Sequence, residues 1–390
     1  MAGDPHADPV ARSGRTTEPP DERAEAEEQR VTSLELFFDL VFVFTMTQLT
    51  GLLAGDLSVA TALRVALIFM VLFWMYGGYA WLTNQVPPVL PLRRLLLIGG
   101  MGAFLVCALA IPSAFGDSGL AFGVGYLLVV LVHSGLYASV YGRTMAMWVG
   151  PFNLAAALCV IAAGVLGGAA AYPLWAAAIA IELVMPYANR SPARPDIRTG
   201  HFVERHGLLL LIALGESVVA IGIGVGHEAL TPRLFLAVLL GLALAASLWW
   251  SYFARDEERA ELALEAVPSL GQRLLLAVRA YFFCYVPMLL GIVALAAGVK
   301  LSLGHVTERL ELGPALTLAG GVALYLAGEV AFRRSLGIRP VAVRAVAALA
   351  ALATVALGVT TTATVQLVVL VAILLGMLLP ETRASARRGG

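Results

Sequence analysis

The stretch LELFFDLVFVFTMTQLTGLLA, residues 34–54, contains two acids, Glu35 and Asp39, in an otherwise apolar segment. About 20 apolar residues in a helix cross the ~30 Å hydrocarbon core of a bilayer, and stretches of this kind recur to the end of the chain. Of the 390 residues, 59% are hydrophobic and 13% are charged. Because a soluble protein carries about 25% charged residues, the composition excludes a water-soluble globular protein. It predicts an all-α transmembrane helical bundle.

Twelve membrane-spanning helices are expected. Their predicted bounds are residues 34–54, 60–82, 95–115, 120–141, 149–171, 173–188, 207–225, 234–253, 274–299, 312–332, 341–359 and 362–379. The polar composition of residues 1–33 predicts a disordered tail. The remaining predicted regions are a first six-helix half (34–188), a linker (189–206), a second six-helix half (207–379) and a C-terminal tail (380–390).

The two halves share short sequence similarities. RLLL at 94–97 matches RLLL at 273–276, and WMY at 74–76 matches WSY at 250–252. Because six helices return the chain to the side where it started, such a repeat would be parallel, with a pseudo-two-fold axis along the membrane normal. We therefore expect a 6+6 parallel repeat, with chance matching of leucine-rich segments as the alternative.

Basic residues are distributed unevenly between the two sides of the predicted bundle. If the first tail is cytoplasmic, 21 of the 26 Lys and Arg lie in tails and loops on that side, 4 lie on the other side, and Arg279 falls within a span. The positive-inside rule then places both termini in the cytoplasm and the protein in the cytoplasmic membrane. The formal net charge of zero gives no basic field for nucleic acid, so nucleic-acid binding is not expected.

The chain lacks sequence motifs of hydrolases, phosphate-binding loops and zinc proteases. We therefore expect no enzymatic activity and no cofactor. HFVERH at 201–206 contains two histidines around Glu204, but His201 and His206 are five residues apart. Metal-binding pairs on one helix face are three or four residues apart, so the prediction is an interfacial cap of the seventh helix and no metal site.

Ionisable side chains inside the hydrocarbon cost at least ~2.5–3.5 kcal/mol at a helix centre, so each is a candidate site. Glu35 and Asp39 are four residues apart and should project from one face of the first helix. One interpretation is that they bind or relay an ion. The alternative is a buried ion pair, for which Arg30, Arg205 and Arg279 are candidate partners.

Two further acids fall within predicted spans. Glu216 is expected near the midplane of the seventh helix, with Ser217 beside it, and either binds a proton or is a protonated acid bonded between helices. Glu182 precedes Pro186 by four residues, so the proline leaves the backbone carbonyl of Glu182 without its helical hydrogen bond. That arrangement predicts a cation or proton site, with a simple helix kink as the alternative. Glu329 and Arg333 are expected to form an ordinary i,i+4 ion pair.

Three of these motifs occur together in a known family. ELFFDLVFV at 35–43, HFVERHG at 201–207 and LGES at 214–217 resemble the bacterial low-temperature-requirement A (LtrA) family across nearly the whole chain after the first tail. The resemblance implies a multispanning inner-membrane protein needed for growth in the cold. It also implies that the motif acids are Glu35, Asp39, Glu204 and Glu216.

A second similarity concerns the first helix alone. Arg30 followed by Glu35-x-Phe37-x-Asp39-x-x-Phe42 is similar to the first-helix signature of the potassium-channel family that has six-helix repeats, although Phe38 stands where that family has Ser and the arginine spacing differs. The leading hypothesis is a proton-coupled permease for a small solute or ion, with Asp39 and Glu216 as an acid pair. A potassium or proton channel and a non-transporting stress or sensor protein are the alternatives. The expected partners are the lipid bilayer and an unidentified solute or ion, and the oligomeric state is left open.

Overall fold

The computed structural model describes residues 31–86, 90–188, 197–227, 229 and 231–386. Within these ranges the secondary structure is helical, with no strand. The helices are α1 (Ser33–Gly55), α2 (Val59–Gln85), α3 (Pro91–Ala110), α4 (Gly119–Tyr141), α5 (Arg143–Leu166), α6 (Gly168–Ala188), α7 (Thr199–Val225), α8 (Pro232–Phe253), α9 (Asp256–Glu265), α10 (Leu270–Val278), α11 (Tyr285–Leu303), α12 (Leu312–Ser335), α13 (Ala342–Ala353), α14 (Val355–Thr360) and α15 (Ala363–Ala386). A 3₁₀ turn, Ile111–Ser113, follows α3, and a π-helical segment, Arg279–Phe283, joins α10 to α11.

The predicted helical membrane bundle is confirmed. Eleven helical stretches in the described residues are long and apolar enough to cross a membrane, and Ala363–Leu379 adds a shorter apolar stretch. Each predicted span corresponds to a helix or to consecutive helices, such as α13 and α14 for the eleventh span. The 6+6 repeat stays a prediction.

Several predicted boundaries are wrong. Helix α7 begins at Thr199, eight residues before the predicted start at Gly207, so the HFVERH motif is helical and the predicted linker 189–206 is too long. The polar helix α9 was not predicted. Helix α15 continues to Ala386, into the predicted C-terminal tail. Of the predicted first tail, residues 1–30 lie outside the described part of the chain, and α1 begins at Ser33.

Neighbouring helices approach closely where glycines meet. A Cβ on Gly119 of α4 would lie 2.7 Å from the Cα of Gly164 on α5, and a Cβ on Gly321 of α12 would lie 2.8 Å from the carbonyl oxygen of Gly291 on α11. Larger residues would push these helix pairs apart, because small residues permit the close backbone packing that drives association in membranes. Helices α7 and α11 each pack against α1. The candidate site is built on the interface between α1 and α7.

Candidate functional site

The first turn of α1 fixes the position of Glu35. Thr32 and Glu35 form a capping box in which Glu35 Oε2 accepts hydrogen bonds from the Thr32 backbone N (2.9 Å) and Oγ1 (2.8 Å). The Thr32 side chain in turn accepts a hydrogen bond from the Glu35 backbone N. This arrangement satisfies donors at the helix start. It leaves Glu35 Oε1 directed to a different partner.

That partner is Arg205 on α7. Its Nη1 atom lies 2.8 Å from Glu35 Oε1, and its Nη2 atom lies 3.3 Å from Asp39 Oδ1. Nη1 also donates a hydrogen bond to Thr83 Oγ1 on α2. The Arg205 side chain is only 1% exposed. Glu35 and Asp39 thus contact one guanidinium, as expected for acids that share a helix face, and the guanidinium connects α1, α2 and α7.

Aromatic side chains complete this group. Tyr76 on α2 donates a hydrogen bond from its hydroxyl to Asp39 Oδ1 at 2.9 Å. The rings of Phe38 and Tyr76 each have their centroid 5.9 Å from Arg205 Cζ, within the range of cation–π interaction. We call Glu35, Asp39, Tyr76, Thr83 and Arg205 the Arg205 cluster.

The Arg205 cluster is not fully satisfied. Asp39 Oδ2 and Arg205 Nε are buried and have no hydrogen-bond partner among the residues that the structure describes. An unpaired buried polar atom keeps its desolvation cost without the compensating bond. The Arg205 cluster is therefore less stable than a network in which every polar atom is hydrogen-bonded.

The HFVERH motif supplies a second contact to Glu35. His201 lies one helical turn before Arg205, and its Nε2 atom is 3.4 Å from Glu35 Oε2. His201 Nδ1 lies 3.2 Å from Asn84 Nδ2, and Asn84 also donates a hydrogen bond to the carbonyl of Arg198 at 3.0 Å. One face of the first turns of α7 is thereby bonded to α1 and α2.

The other candidate ion-pair partners do not take this position. Arg279 is exposed at the start of the π-helical segment and makes no ion pair with Glu35 or Asp39. Arg30 lies outside the described residues. Arg205 was one of three candidates from sequence, and the structure identifies it as the residue in contact with both acids.

Glu216 lies at a different depth on the same interface. Thr47 on α1 donates a hydrogen bond to Glu216 Oε2 at 2.6 Å, and Glu216 is 3% exposed. Because α7 begins at Thr199, Glu216 is about 25 Å along the helix and lies beyond the predicted midplane position. Within the described ranges, no basic side chain makes an ion pair with Glu216. The hydroxyl of Ser217 is buried without a described partner.

The expected acid pair of Asp39 and Glu216 does not form a direct contact. Asp39 and Thr47, the α1 partner of Glu216, are eight residues apart, or about 12 Å along the helix. Asp39 bonds to Tyr76 and Arg205, whereas Glu216 bonds to Thr47. The two carboxyl groups therefore occupy separate sites on one interface.

Glu182 on α6 is buried and accepts a hydrogen bond from the hydroxyl of Tyr126 on α4. In the part of the chain that the structure describes, no cation pairs with its carboxyl group. Pro186 lies inside α6 one turn later. The sequence pointed to Glu182 through this proline, and the structure adds Tyr126, which the sequence did not indicate.

A second buried ionic group, which we call the Asp256 cluster, comprises Ser251, Asp256, Glu329, Arg333 and Arg344. Arg333 binds Asp256 with Nε at 2.6 Å from Oδ2 and Nη2 at 3.0 Å from Oδ1. Arg344 Nη1 lies 2.6 Å from Glu329 Oε2 and 3.2 Å from Asp256 Oδ2. The Ser251 hydroxyl donates to Glu329 Oε1. The cluster joins α8, α9, α12 and α13.

The predicted ion pair between Glu329 and Arg333 is wrong. Glu329 pairs with Arg344 on α13, and Arg333 pairs with Asp256 on α9. A two-point guanidinium–carboxylate bond to a buried partner is stronger than the i,i+4 pair that the spacing suggested. The sequence missed Asp256 because it belongs to a polar helix that the hydropathy pattern did not predict.

Outside the spans, α9 carries an acid with a perturbed pKa. Burial, together with the smaller effect of the negative charges of Glu204 and Glu261, raises the pKa of Glu257 from its ordinary value of 4.5 to about 7. Glu204 is on α7, so the acidic face of α9 lies against the HFVERH turn of that helix. Protonation of Glu257 reduces the repulsion between these two elements.

The helices, their apolar surfaces and these buried polar groups define a multispanning helical membrane protein. The family described as Bacterial low temperature requirement A protein (LtrA) matches residues 30–379, and the chain belongs to that family. It is also 29% identical over 315 residues to an uncharacterized protein, RA0937, of Rhizobium meliloti (strain 1021). The alignment covers 77% of this chain and 76% of the relative. The family assignment from the first-helix and seventh-helix motifs is thereby confirmed.

Proposed function

We propose that the protein is a permease of the cytoplasmic membrane, and not an enzyme, that moves a small solute or ion along the α1–α7 interface with a proton bound at Glu216. Both termini are cytoplasmic in this proposal. The observation that carries it is the contrast between two acidic sites on one interface: the Arg205 cluster is ion-paired, whereas Glu216 is hydrogen-bonded to a hydroxyl and makes no described ion pair.

The position of the ionic clusters supports a closed end on the predicted cytoplasmic side. Glu35 and Arg205 lie near the starts of α1 and α7, whereas Ser251, at the end of α8, and Arg344, near the start of α13, belong to the Asp256 cluster. Because successive spans alternate in direction, all of these positions lie on the same side. An alternating-access permease needs a barrier on one side of its binding site. In this proposal the two ionic clusters form that barrier, which opens when their ion pairs rearrange.

The surroundings of Glu216 support a proton as the coupling ion. A carboxyl group buried in a membrane without an ion-pair partner is costly when ionised. The Thr47 hydroxyl satisfies one oxygen in either protonation state, because a hydroxyl both donates and accepts. Glu216 is therefore suited to bind a proton when its site is shielded and to release it when water or solute arrives.

The test uses the purified full chain in liposomes that contain a pH-sensitive dye. A valinomycin-induced potassium diffusion potential, negative inside, drives protons inward. We expect proton influx in the unmodified protein and at least a tenfold reduction in Glu216→Gln and Asp39→Asn. Glu308→Gln is the matched control, because Glu308 is an exposed acid whose only described ion pair is with exposed His305; this variant should retain the influx.

Two results would contradict the proposal, and a third would invalidate the assay. Potassium flux in liposomes without valinomycin would indicate a channel. No proton influx from folded protein would remove the proton step and favour a structural role for the buried acids. An equal reduction in Glu308→Gln would show that the assay does not report on Glu216.

A further inference from the structure

A partly open cleft of about 230 Å³ lies between helices of the first and the second predicted half of the chain. Its walls are formed by α2, α4, α5 and α6 on one side and by α7, α10 and the π-helical segment on the other. In each membrane-crossing helical stretch the lining residues belong to the half nearest the predicted cytoplasmic side. The cleft is distinct from the Arg205 cluster, because no member of that cluster lines it.

Aromatic and aliphatic side chains dominate the described lining. Phe282 stacks on Phe73 with ring centroids 5.2 Å apart and meets Trp74 edge-on at 4.8 Å. Among the described lining residues there is no Asp, Glu, Lys or Arg. A charged ligand would lose its hydration there without gaining an opposite charge, so the lining favours an uncharged ligand.

The helix geometry changes beside this cleft. Tyr281 and Phe282 line it from the π-helical segment Arg279–Phe283, which interrupts the α-helical pattern between α10 and α11. Single π-helical turns occur mostly as bulges and are frequent at functional sites. Here the turn supplies two consecutive aromatic residues to the lining.

Two residues of the lining each carry a buried polar atom without a described hydrogen-bond partner. His133 Nδ1 on α4 and Asn153 Oδ1 on α5 are buried without a hydrogen bond among the described residues. His133 is 4% exposed and Asn153 is 2% exposed. Buried side-chain polar atoms are nearly always hydrogen-bonded, and leaving one unpaired is costly. Two such atoms on neighbouring helices of one cleft indicate a ligand that supplies a donor.

We propose that this cleft binds an uncharged cyclic or aromatic molecule of about two rings that carries a hydroxyl or N–H group. A cavity of about 150 Å³ accommodates benzene, so a cleft of about 230 Å³ accommodates a second ring. The rings lie among the aromatic side chains, and the donor bonds to Asn153 Oδ1 or His133 Nδ1. This site does not depend on the proposed transport activity. A lipid acyl chain does not meet the requirement, because it has no donor.

The probe is 2-naphthol, which has two fused rings and one hydroxyl, and naphthalene is its counterpart without the donor. Binding to the purified full chain is measured by titration calorimetry at a fixed detergent concentration. We expect saturable binding of one 2-naphthol and at least tenfold weaker binding of naphthalene. Asn153→Leu and His133→Phe should each weaken 2-naphthol binding about tenfold and leave naphthalene binding nearly unchanged.

A pair of variants on α5 controls for nonspecific partition. Val149→Phe fills the cleft and should abolish binding, whereas Val165→Phe lies outside the lining at a position that is 66% exposed and should preserve it. If Asn153→Leu does not fold, Asn153→Ser removes the same carbonyl oxygen. Equal binding of both probes, equal binding to all variants or no saturable heat would each overturn the proposal.

Discussion

Arg205 Nη1 lies 2.8 Å from Glu35 Oε1, although the two residues are 170 positions apart in the chain. Both side chains are 1% exposed. The same guanidinium reaches Asp39, so one α7 side chain contacts two positions on α1 that are one helical turn apart. This contact fixes the rotation and the height of α7 relative to α1. It also makes Arg205 the residue whose loss leaves two buried carboxylates without a guanidinium partner.

Replacing Arg205 by methionine is therefore expected to destabilise the fold by about 3–5 kcal/mol, the cost of leaving one side of a buried ion pair uncompensated. The measurement is the free energy of unfolding in a fixed detergent. Arg233→Met is the control, because Arg233 is exposed, and it should change stability by less than about 0.5 kcal/mol. An effect of Arg205→Met no larger than that control would contradict the assignment of Arg205.

A double-mutant cycle tests the pairing itself. If Arg205 compensates Glu35, then combining Arg205→Met with Glu35→Gln should cost less than the sum of the two single changes. The expected coupling is about 0.5–3 kcal/mol, the range found for residues that share one ionic network. Additive effects would show that the contact contributes no interaction energy.

The two ionic clusters should contribute independently to stability. The described members of the Asp256 cluster make no direct ion pair with those of the Arg205 cluster. Changes at sites without shared partners add within about 0.3–0.5 kcal/mol. We expect Asp39→Asn and Asp256→Asn to be additive in chemical unfolding. A coupling above about 1 kcal/mol would show that the clusters respond to one common rearrangement.

Local sequence patterns correctly predict those features of the fold and the site that depend on a single helix. The i,i+4 spacing of Glu35 and Asp39 predicts a shared face, and both acids contact the same arginine. Hydropathy likewise predicts the membrane spans, because a helix that crosses lipid must be predominantly apolar over about 20 residues. These features need no knowledge of neighbouring helices.

The sequence was insufficient where polar residues find partners on other helices. The polar residues His201 and Arg205 made residues 201–206 resemble a linker, but Glu35 and Asn84 bond to them and the segment is helical. Arg333 was assigned to Glu329 because of spacing, whereas buried Asp256 binds it. Such pairings depend on the packing of distant segments, which periodicity along one helix does not report.

The Tyr126 hydroxyl is expected to stabilise the buried carboxyl of Glu182. Tyr126→Phe removes the donor and leaves that carboxyl without a described partner, at a cost of about 1–3 kcal/mol. Glu182→Gln keeps an acceptor for the hydroxyl and should cost less than Tyr126→Phe. Thermal unfolding in detergent compares the two variants with Tyr137→Phe as a control, because Tyr137 is only partly buried. A larger loss in Glu182→Gln would indicate an unrecognised charged partner.

Glu257 should make stability depend on pH. Its pKa is about 7 in the folded protein and 4.5 when exposed. Below pH 4.5 Glu257 is protonated in both the folded and the unfolded state, and its stabilising contribution to the free energy of unfolding is then fully present. Between about pH 4.5 and 7 the unfolded state loses the proton first, and stability falls as the pH rises.

The check is the unfolding midpoint measured from pH 4 to 8. Glu257→Gln should flatten the fall between pH 4.5 and 7, because the amide does not titrate. Glu258→Gln changes the adjacent, exposed acid on α9 and should leave the slope intact. If both variants retain the slope of the unmodified chain, Glu257 is not its source.

Release of the Arg205 cluster should expose Ser217 to the predicted cytoplasmic side. Ser217 is buried beside Glu216, deeper than Asp39 on the α1–α7 interface. In a chain whose native cysteines are replaced by alanine, the Ser217→Cys thiol reports access to a membrane-impermeant maleimide in inside-out vesicles. Adding Asp39→Asn should increase its labelling rate at least fivefold, because one carboxylate that holds Arg205 in place becomes neutral.

Asp256→Asn is the matched control for this labelling, because it neutralises an equally buried acid in the other cluster. If the α1–α7 interface is the path, the increase with Asp39→Asn should exceed that with Asp256→Asn. An equal increase in both would indicate a general loosening of the bundle. No increase in either, with full labelling of the unfolded chain, would show that the Arg205 cluster does not control access to Glu216.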